Sequence, residues 1–249
     1  MSDASRAEGP ADHRLAADIL GAGRGRHAFE DCVERLATAI RLGVFAEGST
    51  LPSERELSSR MGVSRTTLRE AIAALREAGM VRTVRGRGGG TIVSQRPTTP
   101  ARGPRKKITE QRDRLMDSLV FRRVVEPGAA QLAAERGLGE EERRLLRSSL
   151  AGVGEAEKPA EYRQADSRLH LAIATTTGSA QLIEAVTRAQ ADLHTLLTAI
   201  PMLPANIDHS DAQHDTIVDA ILRGRATTAR RTMEQHCDDT AALLRGLLS

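Results

Sequence analysis

The stretch ADSRLHLAIA, residues 165–174, places an acid and a histidine one helical turn apart beside an apolar stripe. Asp166 and His170 are four residues apart, so on a helix they share one face, next to Leu169 and Ile173. A carboxylate and an imidazole on one face can supply two ligands to a transition metal ion. Alternatively, each is an isolated polar group with its hydrogen bonds satisfied inside a helical core.

Two further histidines lie on the apolar faces of separate predicted helices. His214 falls within the face of a helix over 208–222, and His236 lies mid-face in a helix over 226–248, whereas His209 falls outside. A single histidine on such a face is usually a core residue, and a buried unpaired aspartate is costly. Together the three histidines and the aspartate have the composition of a metal site for Zn, Ni, Mn or Fe, if the helices converge.

A helix predicted over 111–134 carries an arginine and a glutamate, Arg122 and Glu126, four residues apart on its apolar face. One interpretation is an internal ion pair. The other is a buried guanidinium that receives the carboxylate of a ligand. Arg123 points about 100° away from Arg122 and is not expected to share this role. The apolar positions of this face are Leu115, Leu119, Ala129 and Ala133.

The elements that must position these side chains are helices. The chain has 249 residues, enough for one large domain or two ordinary ones, and only 2% of them are aromatic, so the core must be Leu, Ile, Val and Ala. We expect an all-α antiparallel helical bundle over 111–249. Proline and glycine separate its predicted helices, which span 111–134, 139–151, 160–176, 179–199, 208–222 and 226–248.

The first hundred residues have a different pattern. A helix is predicted from Phe29 to Leu42, Ser53 and Glu56 have the spacing of a capping box, Gly62 can end that second helix, and Ser64 can cap a third. Valines and an isoleucine flank a glycine-rich turn in MVRTVRGRGGGTIV, which suits a hairpin. Two helices joined by a tight turn and followed by a hairpin make a winged helix-turn-helix, so the fold class is mainly α with a small β wing.

Charge is unevenly distributed. Residues 1–110 carry 19 Lys and Arg against 13 Asp and Glu, whereas residues 111–249 carry 17 against 20; the window 53–107 carries 13 against 4. A basic N-terminal half attached to a mildly acidic C-terminal half suggests a module that binds a polyanion. The alternative is a solvated basic surface.

The start of the third helix carries the groups that such a module needs. Hydroxyls and backbone N–H groups at a helix N-terminus hold phosphates, and an arginine can donate twice to guanine. The residues in this first turn are Ser64, Arg65, Thr66, Thr67 and Arg69. Arg85 and Gly86, at the predicted wing tip, suit minor-groove or phosphate contact.

The remaining segments indicate the domain boundaries and the cellular compartment. Residues 1–27 lack a clear apolar stripe and are expected to be disordered. Residues 96–110 contain prolines and a basic cluster, and we expect them to form a linker between a domain over 28–95 and the helical bundle. Cys32 and Cys237 form no CxxC pair, no run of 18 apolar residues occurs, and no secretory signal is evident. We therefore expect a cytoplasmic protein with no membrane contact.

The stretch LPSERELSSRMGVSRTTLREAIAALREAGMVRTVRGRGGGTIV, within residues 29–94, resembles the DNA-binding domain of GntR-family bacterial transcription regulators. The resemblance implies contact with operator DNA through the arginine of LPSER, the SRTT residues, the arginine of LREA and the wing. In this sequence those positions are Arg55, Ser64, Arg65, Thr66, Thr67, Arg69, Arg85 and Gly86.

Residues 112–248 resemble the FCD-type effector domain found behind this module in the FadR-like branch of the family. Many such domains hold a divalent metal with one Asp and three His, which implies Asp166, His170, His214 and His236 as ligands. FRRVVEPGAAQLAAE is similar to the family's R-x-x-x-E stretch, whose arginine helps to bind effector carboxylates; that arginine corresponds to Arg122.

These observations predict a regulator, and not an enzyme, that binds double-stranded operator DNA as a homodimer, because a dimer reads a palindrome. A small organic acid bound at the metal and Arg122 would change its operator affinity. Three alternatives stay open: a direct metal sensor, a metal-dependent enzyme that activates water, and an acyl-CoA-responsive regulator, which the polar pocket argues against.

Overall fold

The computed structural model of the chain describes residues 20, 28–84, 90–94, 105–198 and 204–248. The chain divides into two compact units, Met1–Pro100 and Ala101–Ser249. Among the helices of these described residues, none has the length and apolar character that a bilayer span requires.

The first unit contains three helices and a two-stranded hairpin. Its elements are α1 (Ala28–Arg41), α2 (Glu54–Met61), α3 (Arg65–Glu77), β1 (Val81–Val84) and β2 (Gly90–Val93). Helix α3 packs on α1, α2 and β1, and the two strands pair antiparallel with Val81 opposite Val93. The predicted winged helix-turn-helix is confirmed. Its core side chains include Leu36, Phe45, Leu57, Leu68, Ile72 and Leu75.

Local capping sets the ends of the two central helices. The Ser53 hydroxyl accepts a hydrogen bond from the backbone N–H of Glu56 at the start of α2, and Gly62 ends that helix at φ 66°. The serine half of the predicted capping box is thus present, and the Glu56 carboxylate pairs with Arg60, one turn on. At α3, the Ser64 hydroxyl accepts from the N–H of Thr67 at 3.0 Å, as the sequence predicted.

The hairpin is joined by a third segment that the sequence pattern did not reveal. Thr50 forms an isolated antiparallel bridge with Ile92, and the Leu51 N–H donates to the Thr91 carbonyl at 2.8 Å. A Cβ atom at Gly90 would lie 2.8 Å from Cγ2 of Thr50, so glycine is needed for this close approach. The wing strands are thereby tied to the chain that leads into α2.

The second unit is all-α. Its helices are α4 (Arg105–Glu135), α5 (Glu140–Gly154), α6 (Pro159–Thr176), α7 (Ala180–Leu197), α8 (Pro204–Leu222) and α9 (Ala226–Leu248). Helix α4 packs against α6, α7, α8 and α9, and neighbouring pairs such as α6 with α7 and α8 with α9 also pack together. The predicted helical bundle is confirmed, with α4 as the element that most others contact.

Two helix boundaries correct the sequence prediction. Helix α4 begins at Arg105, so residues 105–110 are helical rather than part of the linker expected over 96–110. Arg, Lys and Ile are compatible with a helix, and no glycine or proline interrupts the chain from Arg105 until Pro127, which lies inside α4. Helix α8 begins at Pro204 rather than at 208. Proline is tolerated in the first turn of a helix, so Pro204 does not prevent the helix from starting there.

Candidate functional site

Three helices of the second unit bring the aspartate and the three histidines together. Asp166 and His170 lie on α6, His214 on α8 and His236 on α9. One potential ligand atom from each residue can be chosen so that all four lie within 4.8 Å of one another. The ring centroids of the histidines are 4.7–5.5 Å apart. The convergence on which the sequence prediction depended is therefore present.

All four side chains are buried. Asp166 is 7% exposed and the three histidines 1–3% exposed, because each lies on the core-facing stripe of its helix. His209 lies outside this cluster, as predicted, and hydrogen-bonds to Asp239 at the surface. Buried imidazoles and a buried carboxylate must be paired with each other or with an ion, since isolation in an apolar core is costly.

Glu126 on α4 orients one ring of the cluster. Its Oε2 atom lies 2.8 Å from Nδ1 of His170. Both ring nitrogens of His170 are buried and neither makes a well-aligned hydrogen bond among the described residues, so the approach of Nδ1 to Glu126 is a close polar contact rather than a regular hydrogen bond. A carboxylate that engages one nitrogen of an imidazole leaves the other available as a metal ligand.

The other two rings contact side chains of both α8 and α6. Nδ1 of His236 lies 3.1 Å from Oε1 of Gln213, whose amide nitrogen donates to Asp239. Nε2 of His214 lies 3.3 Å from Oδ1 of Asp166, and its Nδ1 is 3.9 Å from Asp211. Burial lowers the pKa of His236 well below its ordinary value, and the nearby His214 adds to this effect. His236 is therefore neutral at neutral pH, which is the form that binds a metal.

Arg122 forms the internal ion pair, which is one of the two interpretations that the sequence left open. Its Nε donates to Oε2 of Glu126 at 3.0 Å, with the two residues 1% and 2% exposed, so the internal ion pair exists. Its two terminal nitrogens, Nη1 and Nη2, are buried and have no hydrogen-bond partner in the described part of the chain. Arg123 lies elsewhere, pairing with Glu234 and Asp238 of α9.

The pKa values of Arg122 and Glu126 are shifted in the directions that keep both side chains charged. Burial alone would raise the pKa of Glu126, but the Arg122 guanidinium and His170 lower it to about 2. Burial alone would lower the pKa of Arg122. Negatively charged neighbours raise the pKa of Arg122 instead. Burial raises the pKa of the Cys237 thiol, so this thiol is uncharged at neutral pH and the neighbours that act on Arg122 are the carboxylates of Glu126 and Asp166. Arg122 and Glu126 are both charged at neutral pH.

Sequence reasoning missed Gln190, Gln213 and Cys237 at this site. Gln190 on α7 is fully buried and donates to Oε1 of Glu126 at 2.6 Å, and the Cys237 sulfur lies 3.7 Å from Oε2. The signal for Gln190 was its spacing, because it lies seven residues after Ile183 on the buried stripe of α7. Nothing local indicates that its partner is Glu126, 64 positions earlier.

The donor set fits a transition metal ion. Three imidazoles and one carboxylate suit Zn, Ni, Mn or Fe, and Nε2 of both His170 and His214 lacks a hydrogen-bond partner among the described residues. A permanent hydrogen-bond network would leave fewer buried nitrogens unsatisfied.

The predicted DNA-reading residues of the first unit lie on its surface. Arg55, Ser64, Arg65, Thr66 and Arg69 are exposed, and Thr67 is half-buried at the first turn of α3. Glu54 on α2 accepts a hydrogen bond from Nε of Arg69 at 2.7 Å and lies 3.9 Å from Arg65. Arg85 and Gly86 lie outside the described residues. The exposed helix start can present these groups to a phosphate backbone and to base edges.

Comparison with known proteins identifies the class. Residues 29–91 match the family of bacterial regulatory proteins called the gntR family, and residues 117–239 match the FCD domain. The chain is 34% identical over 212 residues to RmpR of Mycobacterium gastri, assigned as an HTH-type transcriptional regulator, covering 82% of this chain and 75% of that protein. The chain belongs to the gntR family and carries an FCD domain.

Two further relatives extend over most of the chain. A protein of Escherichia coli strain K12, assigned as the regulatory protein of the L-lactate dehydrogenase operon, is 29% identical, covering 85% of this chain and 84% of its own. The transcriptional repressor NanR of Cronobacter sakazakii is 28% identical, with 93% of each chain covered. The protein is thus a DNA-binding transcription regulator and not an enzyme, as the sequence predicted.

Proposed function

We propose that this regulator responds to a small carboxylate bound beside a divalent transition metal in its second unit, and that it reads its operator as a homodimer. The observation that carries the proposal is one buried cluster in which a four-residue donor set lies beside an arginine whose two terminal nitrogens have no hydrogen-bond partner in the part of the chain that the structure describes.

Asp166, His170, His214 and His236 would hold the metal, which is Zn, Ni, Mn or Fe on the chemistry of the donors. Bound there, the ion would act as a Lewis acid that attracts anionic oxygen atoms. Glu126 and Gln213 orient two of the rings through their second nitrogen atoms, which prepares the site in advance.

Arg122 is the group that would bind the carboxylate of the effector. Its charge is secured by Glu126, yet only Nε is used for that contact, so Nη1 and Nη2 remain to form two parallel hydrogen bonds. A ligand that satisfies both nitrogens removes the cost of two buried, unpaired donors. That gain favours an acid over a neutral ligand.

The proposed contacts with double-stranded operator DNA are made by Arg55, by the first turn of α3 (Ser64, Arg65, Thr66, Thr67 and Arg69) and by the wing (Arg85 and Gly86). One such unit reads one half-site, so a homodimer matches a palindromic operator. Operator DNA and the effector would be coupled through their preference for one arrangement of the helices. Such coupling is typically about 5–150-fold, and it is reciprocal.

Calorimetry with a panel of organic acids tests the effector part. The titrations use the metal-loaded wild type, metal-free protein and Arg122→Ala. We expect an acid that alters operator affinity to bind the wild type at least about tenfold more tightly than either other form, since a buried charged hydrogen bond is lost. Equal binding to all three forms would refute the proposal. A metal that alone switches operator binding, with no acid required, would instead establish a direct metal sensor.

A further inference from the structure

The two oxygen atoms of Glu126 hold two different side chains. Oε2 accepts a hydrogen bond from Nε of Arg122 at 3.0 Å, and Oε1 accepts one from Nε2 of Gln190 at 2.6 Å. All three residues are at most 2% exposed. A single buried carboxylate on α4 therefore sets the orientation of a guanidinium on its own helix and of an amide on α7.

This arrangement fixes which end of the Gln190 amide faces Glu126. The carboxylate that pairs with the Arg122 guanidinium only accepts hydrogen bonds, and Nε2 of Gln190 lies 2.6 Å from its Oε1, so the NH2 group of Gln190 points to Glu126. The amide oxygen, Oε1, then points away. It is buried and has no hydrogen-bond partner among the described residues.

The two side chains bonded to Glu126 thus have, among the described residues, one acceptor and two donors without a hydrogen-bond partner. The acceptor is Oε1 of Gln190, and the donors are Nη1 and Nη2 of Arg122. The amide oxygen of Gln190 does not accept a hydrogen bond from the terminal nitrogens of Arg122, although both side chains hydrogen-bond to Glu126. Buried polar atoms without partners are uncommon in folded proteins, and each costs free energy that a bound group can recover.

We infer that Gln190 is a specificity-determining residue, whose amide oxygen accepts a hydrogen bond from a hydroxyl group of the same effector that pairs its carboxylate with Arg122. The effector class is then a hydroxy acid. This inference rests on the proposed function, because it assumes that Arg122 receives a carboxylate.

The surrounding chemistry excludes the neighbouring ligand classes. A keto acid or a simple dicarboxylate would place a second acceptor against the amide oxygen, and two acceptors repel. An amino acid would offer a donor, but its ammonium group would lie near the Arg122 guanidinium, and like charges in a buried site are unfavourable. A hydroxyl donates without adding charge.

Matched pairs of acids test the inference. L-lactate is compared with propionate, and L-malate with succinate, by calorimetry on the metal-loaded wild type and on Gln190→Met, which keeps the side-chain length and removes the acceptor. Gln181→Met, at an exposed position on the same helix, is the control. We expect the wild type and the control to prefer one hydroxy acid over its deoxy partner by about tenfold or more, and the preference to fall about tenfold in Gln190→Met.

Each other outcome decides against the inference. If deoxy and hydroxy acids bind the wild type equally, or if Gln190→Met keeps the full preference, the hydroxyl does not bind Gln190, while carboxylate binding at Arg122 stands. If none of the four acids binds, the inference fails together with the carboxylate part of the proposed function. Should Gln190→Met not fold, as judged by circular dichroism, Gln190→Asn takes its place, because its shorter amide cannot reach both partners.

Discussion

Nδ1 of His170 and Nε of Arg122 meet at the same atom, Oε2 of Glu126, at 2.8 Å and 3.0 Å. One buried carboxylate thereby connects a proposed metal ligand to the proposed effector-binding arginine. The ion pair that the sequence suggested between Arg122 and Glu126 is therefore part of the site and does more than neutralise a charge.

Replacing Glu126 tests this connection. Glu126→Gln should destabilise the fold by about 3–5 kcal/mol, because it leaves the Arg122 charge buried without a counter-charge, and should weaken metal binding about 10–100-fold. The pKa of Glu126 is lowered from 4.5 to about 2, so its contribution is fully present above pH 4.5 and is lost as the pH falls towards 2. Chemical denaturation and metal titration measure the two effects. Asp219→Asn, in an exposed ion pair, should change stability by less than about 1 kcal/mol.

Metal content is the direct test of the candidate centre. We expect gently purified protein to carry about one divalent metal ion per chain, and His214→Ala to lower both occupancy and the melting temperature. A metal present at a thousand times its Kd stabilises the folded state by about 4 kcal/mol. His209→Ala removes a histidine of the same helix whose side chain is 60% exposed, and should change neither. Metal-free wild type with an unaltered melting curve in His214→Ala would contradict the assignment.

Operator binding should depend on the start of α3 and not on its end. Arg65→Ala should cost about 1–3 kcal/mol against the operator recovered from a genome-wide pull-down, and should leave the fold intact because the Arg65 side chain is 61% exposed. Affinity of the wild type should also fall steeply with salt. Arg76→Ala, in the last turn of the same helix, is the matched control. Equal losses in both variants would indicate a general charge effect.

Two glycines at α4 should respond in opposite directions to the same substitution. Gly137 follows the helix at φ 67°, where a side chain is strained, so Gly137→Ala should cost about 1–2 kcal/mol. Gly128 lies inside the helix with open space around an added Cβ atom, so Gly128→Ala should stabilise by about 0.5–1 kcal/mol. Denaturation curves followed by circular dichroism compare them. A gain from Gly137→Ala would show that this helix end differs from the one described.

Features that depend on near neighbours in the chain were predictable. The Ser64 cap requires only the backbone N–H of Thr67, three residues later, and the sharing of one helix face by Asp166 and His170 follows from a spacing of four. The burial of His214 and His236 followed from the period of the apolar residues around them.

Tertiary structure alone decided which of these groups meet. The 4.8 Å cluster, the contact of Gln190 with Glu126 across 64 positions and the bridge between Thr50 and Ile92 each join segments whose spacing in the chain carries no signal. Periodicity shows that a side chain faces a core, but not how far along its axis a helix slides or turns against its neighbours. Packing of the side chains sets that position. It placed Gln190, which the sequence pattern did not single out, against the carboxylate of Glu126 at the centre of the site.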